Sequence, residues 1–190
     1  MGPNRYAQHM KIVYQGKIKT GEEIIIRYPE IDDVEKLLKY INELSDEKTF
    51  IRYQGEHESL ESEKKWLEGC FDKIKNKKAV RLVAFYNNEV VGSTDIELLD
   101  KTEKHIGIFG ITVRKDFRSK GLGNMLMKLI LKEAKNEIPN IKIITLEVFS
   151  PNKIAKNLYE KFGFIEYGML PKGVSRDEKF DDTILMDRNI

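Results

Sequence analysis

The sequence predicts a single mixed α/β domain, α+β in character, built on a sheet of about seven strands with about four helices. Three observations carry that expectation. At 190 residues the chain has the length of one domain and enough material for a real core. Its apolar residues switch repeatedly between helical spacing and short β-rich runs. Three consecutive strand-like runs lead into a helix-period segment and then another strand-like run, the pattern of an antiparallel meander feeding a crossover.

Taken in order, "EIIIRY" (23–28) is an isoleucine-rich strand, and a further short strand around 12–18 is compatible with the composition there. Ile31, Val34, Leu37, Leu38, Ile41 and Leu44 then fall on one helical face, with Asp32 and Asp33 placed to suit the dipole of its first turn. The stretch 45–58 is polar and aperiodic. A second helix over 60–75 turns Leu67, Cys70, Phe71 and Ile74 inward. "AVRLVAFY" and "EVVGSTDIELL" flank an Asn-Asn pair, which reads as a hairpin. "HIGIFGITV" (105–113) is the third strand of the meander, and a helix over 121–137 connects it to "IKIITLEVF" (141–149). Ser150 as N-cap and Pro151 at the first helical position open the next helix, and Gly163 ends it. "FIEYGML" and "FDDTILM" close the chain as an antiparallel pair. The expected order is β-α-α-β-β-β-α-β-α-β-β.

Composition narrows the function. Charged residues make up 34% of the chain but net charge is only +2, so charge gives no strong case for nucleic acid as partner and any basic patch must be local. Cys70 is the single cysteine, which excludes an intrachain disulfide and a multi-cysteine zinc cluster; its place on an apolar helix side marks a core thiol. "HESLE" (57–61) begins like a zinc-protease motif, but Glu61 stands where the second histidine belongs, so no metal is expected. No apolar run is long enough to span a bilayer, and "MGPNRYAQHMK" has no apolar signal core. The expectation is a cytoplasmic protein without membrane partners. His9-Met10 reads as a cloning junction, with 1–9 a tag remnant and 10–190 the domain.

The stretch "RSKGLGN" (118–124) sits between a strand and a helix. Free N–H groups in a helix's first turn attract anions, and glycines let backbone approach a phosphate closely. Arg114, Lys115, Arg118 and Lys120 add positive charge nearby. On its own the loop is equally a tight solvated turn. It is neither a Walker loop nor a complete dinucleotide fingerprint, because Leu126 stands where the third small residue belongs.

The loop and the segment after it resemble the GNAT superfamily of acyl-CoA-dependent N-acetyltransferases. "IFGITV" followed by "RSKGLG" fits the family signature of Gln or Arg, two residues, Gly, one residue, then Gly or Ala. "LEVFSPNKIAKNLYEKFGF" fits its second conserved segment, and the likeness covers roughly 80–188. The end of the chain resembles the subgroup of ribosomal-protein N-terminal and amino-acid acetyltransferases. The resemblance implies central strands splayed around a cofactor cleft, with acetyl-CoA as cosubstrate and no metal. It places the backbone of Ile111, Thr112 and Val113 along the pantetheine arm. Arg118, Ser119, Lys120, Gly121, Leu122, Gly123 and Asn124 would hold the pyrophosphate, and Asn152 and Ala155 would lie beside the cofactor.

The same resemblance matches Tyr159 to the tyrosine that protonates the leaving thiolate, a reasonable task for a phenol; by its helical spacing alone it is a core aromatic. Glu147, alternating with Leu146 and Val148 on a strand beside the cleft, reads as a candidate general base and equally as a solvent-facing acid or the partner of a structural arginine, with His105 as an alternative base. Asp182 resembles an acid that meets an ammonium in the subgroup, but a plain surface acid is the favoured reading. The acceptor implied is a small-molecule amine or a protein N-terminus, attacked directly in a ternary complex. A catalytically idle acyl-CoA-binding module is the competing reading, and monomer and homodimer both stay open.

Overall fold

In the computed structural model, which describes residues 11–176 and 179–190, the sheet begins earlier than the strongest strand signal. β1 (Ile12–Lys17) pairs antiparallel with β2 (Glu23–Arg27) through a turn in which Gly21 adopts φ +100° and Gly21 N–H donates to the Ile18 carbonyl. β1 lies at the sheet edge with half of its residues exposed and none fully buried, so burial imposes little pattern on its sequence. The sheet therefore has eight strands where about seven were expected. The His9-Met10 junction lies outside the described residues.

A 3₁₀ turn at Ile31–Asp33 leads into α1 (Val34–Asp46), and α2 (Leu60–Lys75) is capped by Ser59, whose hydroxyl accepts from Ser62 N–H. The meander follows: β3 (Ala79–Tyr86), β4 (Glu89–Leu98) and β5 (Ile106–Val113). Asn87 and Asn88 both take positive φ, 47° and 64°, the geometry a two-residue hairpin turn needs. α3 (Leu122–Glu137) crosses over to β6 (Ile143–Phe149), which runs parallel to β5. Then come α4 (Lys153–Lys161), β7 (Ile165–Arg176) and β8 (Lys179–Asn189). The strand order is β1-β2-β3-β4-β5-β6-β8-β7, antiparallel everywhere except between β5 and β6.

Strand alternation sends side chains to two faces. On one face Val80, Leu82, Ile96, Phe109, Ile144, Leu146 and Val148 pack with Leu122, Leu126, Met127 and Ile130 of α3 and Tyr159 of α4. On the other, Val83, Phe85 and Val90 pack with Leu37, Tyr40 and Leu44 of α1 and Leu67 and Phe71 of α2. Cys70 is buried, and burial pushes its thiol pKa up, as befits an inert core thiol. Among the described residues no helix is long and apolar enough to cross a membrane.

One helix start differs from expectation. α4 opens at Lys153, not at Pro151, because Asn152 is the N-cap and its Oδ1 accepts from Ala155 N–H at 3.2 Å. Asn and Ser are comparable caps in isolation, so composition alone does not separate Asn152 from Ser150.

Candidate active site

β5 and β6 stay paired only over Ile106↔Ile143, Gly107↔Ile144 and Ile108↔Thr145. Beyond that, β5 remains with β4 as far as Gly92↔Val113, while β6 remains with β8 as far as Phe149↔Thr183. The strands part, and a wedge opens between 109–113 and 146–149. In an antiparallel ladder, backbone groups alternate between the two sides of a strand. Hydrogen bonds from Arg114 N–H to the Val91 carbonyl (3.0 Å) and from Leu99 N–H to the Ile106 carbonyl (2.9 Å) fix the phase. Ile108, Gly110 and Thr112 thus spend their backbone groups on β4, and Phe109, Ile111 and Val113 direct theirs toward the wedge. The Val113 carbonyl accepts from Arg118 Nε at 2.9 Å. The N–H and carbonyl of Ile111 meet no strand on that side. Thr112 faces the other way, and its hydroxyl bonds the Tyr40 hydroxyl at 2.9 Å.

At the end of β5 a 3₁₀ turn, Lys115–Phe117, leads into the glycine loop. Ser119 (φ +61°) and Gly121 (φ +89°) are both left-handed and curl the chain around Lys120. Gly121 is the N-cap of α3 and offers no side-chain cap. Among the described residues, none of the N–H groups from Ser119 to Asn124 donates to a protein acceptor. Six donors at a helix N-terminus with no internal partner suit a polyanion such as pyrophosphate.

The basic side chains counted near this loop are mostly engaged elsewhere. Arg114 is paired with Asp116 (2.8 Å) and Glu89 (3.1 Å), and Lys120 donates to Glu22 (2.6 Å). Arg118 Nη2 lies 2.5 Å from Glu47 Oε2, a buried oxygen, as an ion pair. The acid at Glu22 is held near pKa 2, chiefly by its bond to Lys120. Bare backbone, more than side-chain charge, makes the loop attractive to an anion. Asn124 accepts from Lys161 Nζ at 2.7 Å, tying α3 to α4, and Leu158 of α4 would lie 3.5 Å from a Cβ on Gly123.

Tyr159 stands where the wedge begins. Its ring meets Phe109 edge-on at 5.8 Å and tilts against Phe164 at 6.1 Å. The residue is 7% exposed, and its hydroxyl bonds nothing among the described residues. Burial raises its pKa to about 12, so the phenol keeps its proton across the working pH range. Ala155, half-buried, packs against the same core.

Glu147 lies on the opposite face of the sheet from Tyr159, because Leu146 and Val148 take the α3/α4 side. Its side chain is 57% exposed and accepts from Arg52 at 3.3 Å. His105 is at the paired end of β5, away from the wedge, where its carbonyl accepts from Lys142 N–H and Ile143 N–H. The Asp182 carboxylate accepts from Lys172 N–H at 2.9 Å beside an irregularity in β7. Sequence reading passed over a second charged group on the Glu147 face: Asp95 of β4, Arg81 of β3 and Glu63 of α2. An aspartate inside the apolar run "VVGSTDIELL" was the available signal. Among the described residues, no group of three or more His, Cys, Asp or Glu has metal-binding geometry.

This architecture, a splayed β5/β6 pair with a donor-rich loop opening α3, defines an acyltransferase of the GNAT type. The Acetyltransferase (GNAT) family model matches residues 38–164, and the chain belongs to that family. It is 28% identical over 174 residues to the L-amino acid N-acetyltransferase AaaT of Escherichia coli (strain K12), covering 87% of this chain and 98% of that one. It is 28% identical over 161 residues to an N-alpha-acetyltransferase of Sulfurisphaera tokodaii, covering 80% and 86%. The fold superposes with TM-score 0.81 on a GNAT-family acetyltransferase from Streptococcus pneumoniae, at 27% identity and 88% and 99% coverage. The protein is an acetyl-CoA-dependent N-acetyltransferase.

Proposed function

We propose that the chain transfers the acetyl group of acetyl-CoA directly to a primary α-amine, of a free amino acid or a protein N-terminus, within a ternary complex. The observation that carries this reading is the continuity of free backbone groups. The Ile111 edge of β5 runs into six N–H groups of the glycine loop that have no partner among the described residues, and Tyr159, whose hydroxyl likewise has none there, packs its ring on Phe109 where the two strands begin to part. The loop from Arg118 to Asn124 suits a pyrophosphate, and the β5 edge suits the amides of a pantetheine arm. The Ile111 N–H is a preorganised donor for the thioester carbonyl, stabilising charge that grows on oxygen during attack. Tyr159 supplies a proton to the departing sulfur. Holding amine and thioester together provides much of the remaining acceleration.

An amine acceptor class is supported by the two relatives, one an L-amino acid N-acetyltransferase and the other an N-alpha-acetyltransferase. Such acceptors are cytoplasmic, and we assign the enzyme there. The test is calorimetric titration with acetyl-CoA, with NADH as control, followed by thiol release on free L-amino acids and on peptides with free N-termini. Binding of acetyl-CoA alone together with amine-dependent thiol release is expected. Binding without turnover on any amine would make the chain an idle acyl-CoA-binding module.

A further inference from the structure

A Cβ built on Gly110 would sit 3.2 Å from Asp95 Oδ1. The Asp95 carboxylate therefore leans over the β5 backbone between Phe109 and Ile111, the residues whose backbone groups turn into the wedge. Its other oxygen lies 3.3 Å from Arg81 Nη2, and the Arg81 guanidinium stacks 4.3 Å from the Trp66 ring of α2. Asp95 Oδ1 has no hydrogen-bond donor among the described residues, and the side chain keeps 28% exposure. One helical turn before Trp66 stands Glu63. It is 7% exposed, its carboxylate has neither a hydrogen bond nor an ion pair among the described residues, and its nearest opposite charge is Arg81. Two acidic side chains thus share one guanidinium. β5 supplies no acid of its own on this face, where Ile106, Ile108, Gly110 and Thr112 stand.

We infer that Asp95 receives the primary ammonium of the acceptor and takes a proton from it, with Arg81 and Glu63 as positioning residues. The inference rests on the acetyl-transfer reading above and assigns the acceptor-side base within it. One N–H proton passes to the Asp95 carboxylate, leaving a neutral amine. The nitrogen bonds to the acetyl carbon, the carbon–sulfur bond breaks, and sulfur leaves with its electron pair and takes the Tyr159 proton. The second N–H proton of the former ammonium restores Tyr159, and Asp95 releases its proton to water. Burial shifts the Asp95 pKa upward, toward the range where a carboxylate is an effective proton acceptor; Arg81 and Lys73 pull it down, and Glu97 pushes it up. From α2, Cys70 also faces Asp95, and Glu63 meets the same Arg81.

The test compares wild type, Asp95→Asn, Glu147→Gln and Gly110→Ala. Thiol release is followed from pH 6 to 9 with acetyl-CoA and a mixture of free L-amino acids, then with alanine- and serine-initiated peptides. Acetyl-CoA affinity is measured in each variant. Asp95→Asn is expected to lower kcat/KM at least ~100-fold near neutrality while leaving acetyl-CoA affinity within about twofold. Its residual rate should climb about tenfold per pH unit, because only amine already neutral in solution reacts, where wild type levels off. Gly110→Ala, which keeps the acid but pushes it from its seat, should lower kcat with unchanged acetyl-CoA affinity. Unaltered acetyl-CoA affinity doubles as proof of folding. An Asp95→Asn enzyme within threefold of wild type with the same pH profile overturns the inference, as does finding the loss and the pH slope in Glu147→Gln instead. Wild type that binds acetyl-CoA and acetylates none of these amines overturns the acetyl-transfer reading itself, and this assignment with it.

Discussion

On the α3/α4 side of the sheet, β5 presents Gly107, Phe109, Ile111 and Val113 to an apolar core closed by Leu122, Leu126 and Tyr159. On the α1/α2 side the same strand presents Ile108, Gly110 and Thr112 to neighbours that carry buried charge. Arg27 and Asp33 form a bidentate pair at 2.7 and 2.8 Å there, with Arg27 stacked 4.1 Å from Phe85; Arg81, Asp95 and Glu63 form the second group. The dry face excludes water and leaves backbone groups as its polar resource, which suits a long ligand bound by shape. The charged face holds titratable groups whose ionisation the protein controls. A reaction between a thioester and an ammonium needs one of each.

Breaking the charged face should have the largest effect on stability. Asp33 is 1% exposed, so Asp33→Ala strands Arg27 without its partner, and a loss of ~3–5 kcal/mol in urea unfolding is expected. Glu63 sharpens the contrast by its pH dependence. Burial raises its pKa from 4.5 to about 7, with Arg81 opposing and Glu58 adding to the rise. Its contribution to stability is whole below about pH 4.5 and is lost as pH rises through about 7. Wild type should be on the order of 3 kcal/mol less stable at pH 8.5 than at pH 4.5 from this group alone, and Glu63→Gln should remove that part of the slope.

On the dry face, Gly121→Asp forces a side chain onto a left-handed residue beside Lys19 and sets a carboxylate among the free N–H groups. Acetyl-CoA affinity should fall ~100-fold, close to 3 kcal/mol; unchanged affinity would remove the loop from the phosphate site. Tyr159→Phe should lower kcat about 100-fold with acetyl-CoA affinity intact, the lower end of the range that a single proton donor contributes. A Tyr159→Phe enzyme at full rate would leave sulfur to be protonated by water. The smallest effect belongs to Asn152→Ala, which removes the α4 cap and should cost about 1 kcal/mol by thermal or urea unfolding.

The two faces also differed in how far the sequence revealed them. The turn at the glycine loop, the Asn87-Asn88 hairpin and the place of Tyr159 on the apolar side of α4 were readable because each is set by neighbours within a few residues, through left-handed turns or helical spacing. Asp95 was not readable. Its role depends on lying opposite Gly110 in the β4–β5 register and on Arg81 arriving from β3. The same limit explains the charge near the loop. Arg118 and Lys120 look free in the sequence, yet their acidic partners Glu47 and Glu22 sit 71 and 98 positions earlier and meet them only in the fold. Glu147 was legible halfway: alternation with Leu146 and Val148 gave its face, and its exposure and Arg52 partner came from tertiary packing. β1 escaped a firm assignment because an edge strand half in solvent has no strict alternation to display.

The parallel seam between β5 and β6 has a mechanical consequence. Five consecutive strands form one antiparallel block and three form another, and within the sheet only three residue pairs join them. Pulled apart across this region, the sheet would tear along that line before either flanking ladder, each of which has seven pairs. A ligand lying in the wedge touches both blocks and acts as a rivet across the tear. Cosubstrate occupancy should therefore register as resistance to force and as slower amide exchange at the seam, far from any atom that reacts.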